Sequence, residues 1–126
     1  MRGAAQALNE YYNSFGIPAY HEHTVPDNAE LPYITFSLQQ SDFSGPVTHY
    51  VQVFDRSYSN SRIVSVADRI VGDIKRGKML PYDGGFACLR PEDPLIQLLV
   101  EAKEGGPPER RAYINLQLNT WGMPGT

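Results

Sequence analysis

Two periods of hydrophobic and polar positions run through this chain and divide it into helices and strands. In residues 61–75, SRIVSVADRIVGDIK, Ile63, Ala67, Ile70 and Ile74 recur every three or four positions, and Val66 and Val71 widen the stripe. That is the spacing of an amphipathic helix. Arg62, Ser65, Asp68, Arg69 and Asp73 fall on the opposite, water-facing side. Ser59, Asn60 and Ser61 offer side-chain oxygens to the first-turn N–H groups, while Lys75, Arg76 and Gly77 suit a C-terminal stop. A thinner helical pattern, Ala4, Leu8, Tyr11, Tyr12 and Phe15, covers residues 2–15 and ends at Gly16. Three alanines in it predict a place at the edge of the core.

The remaining segments alternate with period two. In residues 33–40 Ile34, Phe36 and Leu38 oppose Tyr33, Thr35, Ser37 and Gln39. In residues 48–57 Val51 and Val53 share a face with His49 and Asp55, opposite Tyr50, Gln52, Phe54 and Arg56. The valines are expected inward, with Tyr50 and Phe54 partly covered. In residues 111–121 Ala112, Ile114, Leu116 and Leu118 oppose Tyr113, Asn115, Gln117, Asn119 and Trp121. Shorter strands are predicted in 17–24 and on either side of the Asp83-Gly84-Gly85 turn. Residues 95–102, LIQLLVEA, are apolar nearly throughout. They fit a strand buried on both faces or a short helix, and the strand is favoured. Before them, PEDP reads as a charged turn. After them, residues 103–110 read as an exposed, mobile loop. Residues 122–126 read as a frayed tail.

Strand runs between two helices, without regular βαβ alternation, predict one α+β domain over residues 1–126. Its mostly antiparallel sheet would pack an N-terminal helix and a central amphipathic helix on one face. With 41% hydrophobic and 20% charged residues the composition is that of an ordinary globular chain. No apolar run nears the roughly 18 to 20 residues that span a bilayer, so no membrane role is expected. The first residues lack a signal peptide's apolar centre, which argues against secretion. A net charge of -3 argues against a sequence-specific nucleic-acid partner. Cys88, the single cysteine, reads as a small buried filler.

Chemistry is sparse. His21 and His23, two apart on a predicted strand, are the one metal-like pair. Further ligands would have to come from His49, Glu30, Asp27 or Asp42, which nothing ties to them, so two histidines beside a loop are the plainer reading. No serine has a nucleophile-elbow context, and neither glycine pair has the frame of a phosphate loop. Asp68 and Asp73 read as solvated and Glu92-Asp93 as a surface corner. No enzyme and no cofactor are therefore expected. What stands out is the uncharged sheet face of Tyr33, Thr35, Ser37, Gln39, Asn115, Gln117 and Asn119, edged by Tyr113 and Trp121. Solvent-facing strands usually carry Lys and Glu, whereas uncharged amides and tyrosines suit a protein-binding surface.

Three blocks carry a resemblance: GIPAYHEHTVPDNAELPYITFSLQQSDF, VQVFDRSYSNSRIVSVADRI, and RAYINLQLNTW following LPYDGGFACLRPEDPLIQLL. In this order, from Gly16 to Trp121, they resemble the tail-completion proteins of tailed phages and prophages, the tail-terminator or head–tail joining group. The resemblance implies an α+β sheet with helices on one side. It also implies a self-assembled ring, often hexameric, that caps the head-proximal end of the tail tube and meets the head connector. It carries over no catalytic residue. By resemblance the interface would involve Tyr50, Gln52 and Phe54, the loop from Glu104 to Arg110, and the strand of Tyr113, Asn115, Gln117 and Trp121. A small binding module using the same face, or a metal enzyme built on His21 and His23, are the alternatives.

Overall fold

The computed structural model describes residues 3–37 and 46–122. Leu38 and Gln39 of the expected strand, the metal candidate Asp42 and most of the expected tail lie outside them. The elements in chain order are α1 (Ala4–Asn13), β1 (Ala19–His21), β2 (Tyr33–Phe36), β3 (Val47–Arg56), α2 (Ser61–Ile74), β4 (Lys78–Tyr82), β5 (Gly85–Glu101) and β6 (Glu109–Gly122). All six strands form one sheet in the order β1-β2-β3-β6-β5-β4. β1 and β2 pair in parallel and every other neighbour is antiparallel, so the α+β fold has a mixed sheet.

Alternation decides which side chains face the helices. Ile34, Phe36, Val51, Val53, Ala87, Leu89, Ala112, Ile114, Leu116 and Leu118 are all buried on the inner face. The predicted stripe of α2 meets them, with Ile63, Ala67, Ile70 and Ile74 at 1% exposure or less. α2 lies over β3, β6 and β5. Gly77, at φ +90°, ends it with the left-handed turn expected of that position, its N–H donating to the Ile74 carbonyl. The N-terminal cap differs from expectation. Asn60 makes no side-chain cap bond, because its Oδ1 accepts from Arg110 instead, and Ser59 Oγ accepts the Ser61 N–H.

α1 is no edge element. It touches both outer strands, β1 and β4, so the sheet curls until one helix spans its two edges. Leu8 and Tyr12 are fully buried in that gap. Of its three alanines Ala7 is buried with them, whereas Ala5 faces solvent. At its end Tyr11 donates to Asp73 Oδ2 at 2.6 Å, and Lys78 Nζ sits 3.3 Å from the same carboxylate. Asp73 is thus engaged, where the sequence suggested only a solvated side chain. Burial, then the Asp73 bond and charge, push the Tyr11 hydroxyl well above its ordinary pKa. The Tyr11 bond, aided by Lys78, holds Asp73 below its own. Arg69 adds a second tie, donating to the Phe15 carbonyl at 2.8 Å.

Two further expectations fail in the C-terminal half. PEDP is not a separate turn. β5 runs through it, and only the register against β6 shifts between Pro91 and Ile96, where two prolines remove ladder donors. Residues 95–102 are strand up to Glu101, but not buried on both faces: Leu98, Leu99 and Val100 are 45%, 41% and 55% exposed. From Arg90 onward β5 is the margin of the sheet among the described residues, paired only with β6.

Ile70→Ala is expected to lower stability by about 2–5 kcal/mol, because it opens a cavity in the fully buried stripe of α2. Ile70→Asp, which adds an unpaired buried charge, is expected to unfold the chain. Urea titration followed by circular dichroism checks both, and a native-like midpoint for Ile70→Asp would contradict the central place of α2.

Candidate interaction surface

The outer face of the sheet carries most of the interface residues picked from the sequence. β-strand register brings them together. Tyr33 lies opposite Phe54, and Phe54 opposite Arg111, while Tyr50 and Tyr113 meet on a diagonal between β3 and β6. The rings touch, at 5.4 Å between the Tyr33 and Phe54 centroids and 5.3 Å between those of Tyr50 and Tyr113. The Arg111 guanidinium sits 5.9 Å from the Phe54 ring centre. These are cross-strand pairs that shield one another, and they hold this face half-covered. Partial burial raises the pKa values of Tyr33 and Tyr113. Gln52 and Gln117 are half-buried among them.

Part of the face expected to be open is closed. Thr35, between Tyr20 and Gln52 in register, is 5% exposed, and Ser37 is fully buried with its Oγ accepting the Tyr50 N–H. Asn115 is 9% exposed because its amide donates to the Pro94 carbonyl at 2.6 Å, stitching β6 to the shifted part of β5. Trp121 stands at the far end of the same face, 37% exposed and stacked on Phe86 at 5.0 Å.

The loop picked as exposed and mobile is exposed only at its tip. Lys103, Glu104 and Gly105 face solvent, whereas residues 106–110 are half-buried and Glu109 and Arg110 already belong to β6. Arg56 fastens it by donating to the Pro107 carbonyl, and Ser57 N–H donates to Pro108. Gly106 lies so close to the Arg56 guanidinium that a Cβ there would sit 3.1 Å from Nη2. Arg110 reaches the other way, donating to the Ser57 and Tyr58 carbonyls and to Asn60 Oδ1 at 2.7, 3.3 and 2.8 Å. Its guanidinium therefore holds the entry to α2, and of this loop Glu104 alone keeps a free-standing carboxylate at the surface.

The histidines divide between two places. The His21 and His23 rings stand 5.4 Å apart, with His23 3.5 Å from Glu22, and the buried Nε2 of His21 has no hydrogen-bond partner among the described residues. His49 lies in the core behind Phe36, where its Nε2 meets the Tyr12 hydroxyl at 2.9 Å. Among the described residues no three His, Cys, Asp or Glu side chains gather as a metal site.

The surface that sequence reasoning missed is the far half of β5. β4 pairs only with Gly85–Leu89, so from Arg90 onward the other edge of β5 has no strand beside it among the described residues. In an antiparallel strand alternate residues aim N–H and C=O at that side. Leu98, Leu99 and Val100 make this edge apolar, and a shallow depression of about 250 Å³ lies between Leu99, Val100, Glu101, Glu109 and Arg111. The signal in the sequence is an apolar run between two proline-rich segments, which by composition alone reads as core.

Two outcomes are expected from these contacts. Burial lowers the His49 pKa to about 4, with the Ser37 backbone opposing weakly, while in the unfolded chain it stays near 6.5. The unfolded chain then takes up the proton first, so stability is intact above pH 6.5 and falls as pH drops from 6.5 toward 4. The slope is up to about 1.4 kcal/mol per pH unit. His49→Gln, which keeps a partner for Tyr12, should flatten denaturation midpoints in that window. Arg110→Ala is expected to lower stability by about 1–3 kcal/mol and to speed amide exchange in residues 57–60 and 104–108, as read by mass spectrometry. Compared with known proteins, the chain matches no family model, no curated protein and no solved structure.

Proposed function

We propose that this chain is a structural virion protein of a tailed phage or prophage. It is assembled in the bacterial cytoplasm and forms a ring, hexameric by resemblance, at the head-proximal end of the tail. There it ends the tail tube and docks the head connector. The observation that carries this reading is the apolar open edge of β5, with Leu98, Leu99 and Val100 in solvent beside a well-packed core. An isolated chain gains nothing from such an edge, and an assembling one gains a contact. Support comes also from the three sequence blocks and from the α+β sheet with both helices on one face, the arrangement that their resemblance implies.

In this reading the protein acts by contact, with no catalytic group and no cofactor. Its outer face of paired aromatics and amides meets tube or connector protein. Its net negative charge lets DNA pass through a ring without adhering. Electron microscopy of the purified chain mixed with tail tubes of the encoding phage tests it. The expected result is annular density at one end of each tube. A chain that stays monomeric at high concentration and leaves tube ends bare would overturn it.

A further inference from the structure

We infer that Tyr58 of one copy of this chain seats in the cleft beside Trp121 of the next. The inference rests on the self-assembly reading and names one contact for it. Tyr58 is the most exposed of the described large hydrophobic side chains, at 77%. Its backbone is nevertheless fixed. Arg110 donates to the Ser57 and Tyr58 carbonyls, the Pro108 carbonyl accepts the Ser57 N–H, and the Oγ atoms of Ser57 and Ser59 accept the N–H groups of Ser59 and Ser61. The ring and hydroxyl of Tyr58 meet no partner among the described residues. Folding has already ordered this loop, so docking the ring has only its side-chain torsions left to immobilise. Aromatic side chains held in this way are the ones that anchor protein contacts.

The cleft lies at the other end of the strands, on the outer face. Pro46, Cys88, Arg90, Gln117, Asn119 and Trp121 line a space of about 240 Å³. That is below the roughly 300–1,000 Å³ of small-molecule sites and suits one aromatic side chain. Pro46 and Trp121 give it apolar walls. Arg90, without an ion-pair partner among the described residues, brings a cation to the face of an inserted ring. Asn119 supplies the polar half of the match. Its Oδ1 is buried and has no hydrogen-bond partner among the described residues. A buried acceptor left unpaired is costly, and the soft terminal torsion of an asparagine lets it turn toward a donor that enters the cleft. The phenol O–H of Tyr58 is such a donor.

The two cannot meet within one copy. Arg110, which holds the Tyr58 carbonyl, and Asn119 stand nine residues apart on β6, about 30 Å along the strand. No tyrosine side chain crosses that distance. With the ring at one end of the strands and the cleft at the other, each copy can give Tyr58 to one neighbour and receive it from another. A contact of that kind closes into a ring when its rotation permits. Strand addition plays no part here, because Gly85–Leu89 pair with β4 on one side and β6 on the other. Side chains alone recognise the occupant of this cleft.

Sedimentation velocity of the full chain over a concentration series tests this, read beside the emission of Trp121, the chain's single tryptophan. The wild type is expected to self-associate, and the emission to shift to the blue as water leaves the indole. Tyr58→Ala should stay monomeric at every concentration, with unmoved emission and unchanged melting, since the side chain it removes is exposed. Tyr58→Phe keeps the ring and loses the donor, and Asn119→Leu loses the acceptor. Each should weaken association about three- to tenfold. Combined, they should weaken it no further than either alone, because both remove the same bond.

Tyr58→Ala associating at wild-type strength, emission that ignores association, additive losses from Tyr58→Phe and Asn119→Leu, or a wild type that never associates would each overturn the contact. The tube-end experiment separates the two readings. Rings formed on tubes by Tyr58→Ala would sink this inference and spare the ring. Bare tube ends with Tyr58-dependent association intact would sink the ring and spare the contact.

Discussion

The length of its strands against the length of its helices governs this molecule. At about 3.3 Å per residue the 17 residues of β5 extend for about 56 Å, less what the irregularity at Pro91–Ile96 takes up, and α2 covers about 21 Å. The two helices therefore cover only part of the sheet, and beyond Leu89 β5 is a margin paired on one side alone among the described residues. Everything inside their reach is ordered as a core of aliphatic side chains, and everything beyond must be polar, self-shielded or covered by something else. The outer face takes the second course, with aromatic rings paired across strands. The end of β5 takes the third.

The curl of the sheet follows from the same shortage. With two helices for six strands, a flat sheet would leave its margins bare. Bending lets α1 span β1 and β4 together, and the Tyr12 hydroxyl and His49 Nε2, buried there, meet each other and so limit the cost of burial. The Tyr11–Asp73–Lys78 cluster and the Arg69 bond to Phe15 then hold the two helices and β4 in one arrangement from the wetter side.

Much of this was legible in the sequence because it depends on local period. The stripe of α2, the alternation of Ala112, Ile114, Leu116 and Leu118, and the glycine stop at Gly77 each state which side is buried without reference to any distant residue. What period does not carry is extent. Residues 95–102 are apolar, and apolarity alone reads as burial; only the strand pairing shows that Leu98 to Val100 lie on the margin of the sheet. The loop at 103–110 misled for the opposite reason. Its composition is that of mobile chain, but Arg56 and Arg110, distant in sequence or already in a strand, fasten it through backbone carbonyls that no side-chain pattern reveals. Asn115 and Ser37 were likewise expected to face outward, and partners on neighbouring strands absorb them.

The strand order has a consequence for how the protein comes into being. β6, last in the chain, lies between β3 and β5 in the sheet and supplies Ala112, Ile114, Leu116 and Leu118 to the core. Until it is threaded between them, the first three strands and the β4–β5 hairpin share no sheet and meet only through the helices. The hydrophobic core thus closes only once β6 is in place, after every other strand of the sheet has been synthesised. The same step that completes the core fixes β5 from its other side, so the open edge of β5 takes shape only on a finished molecule.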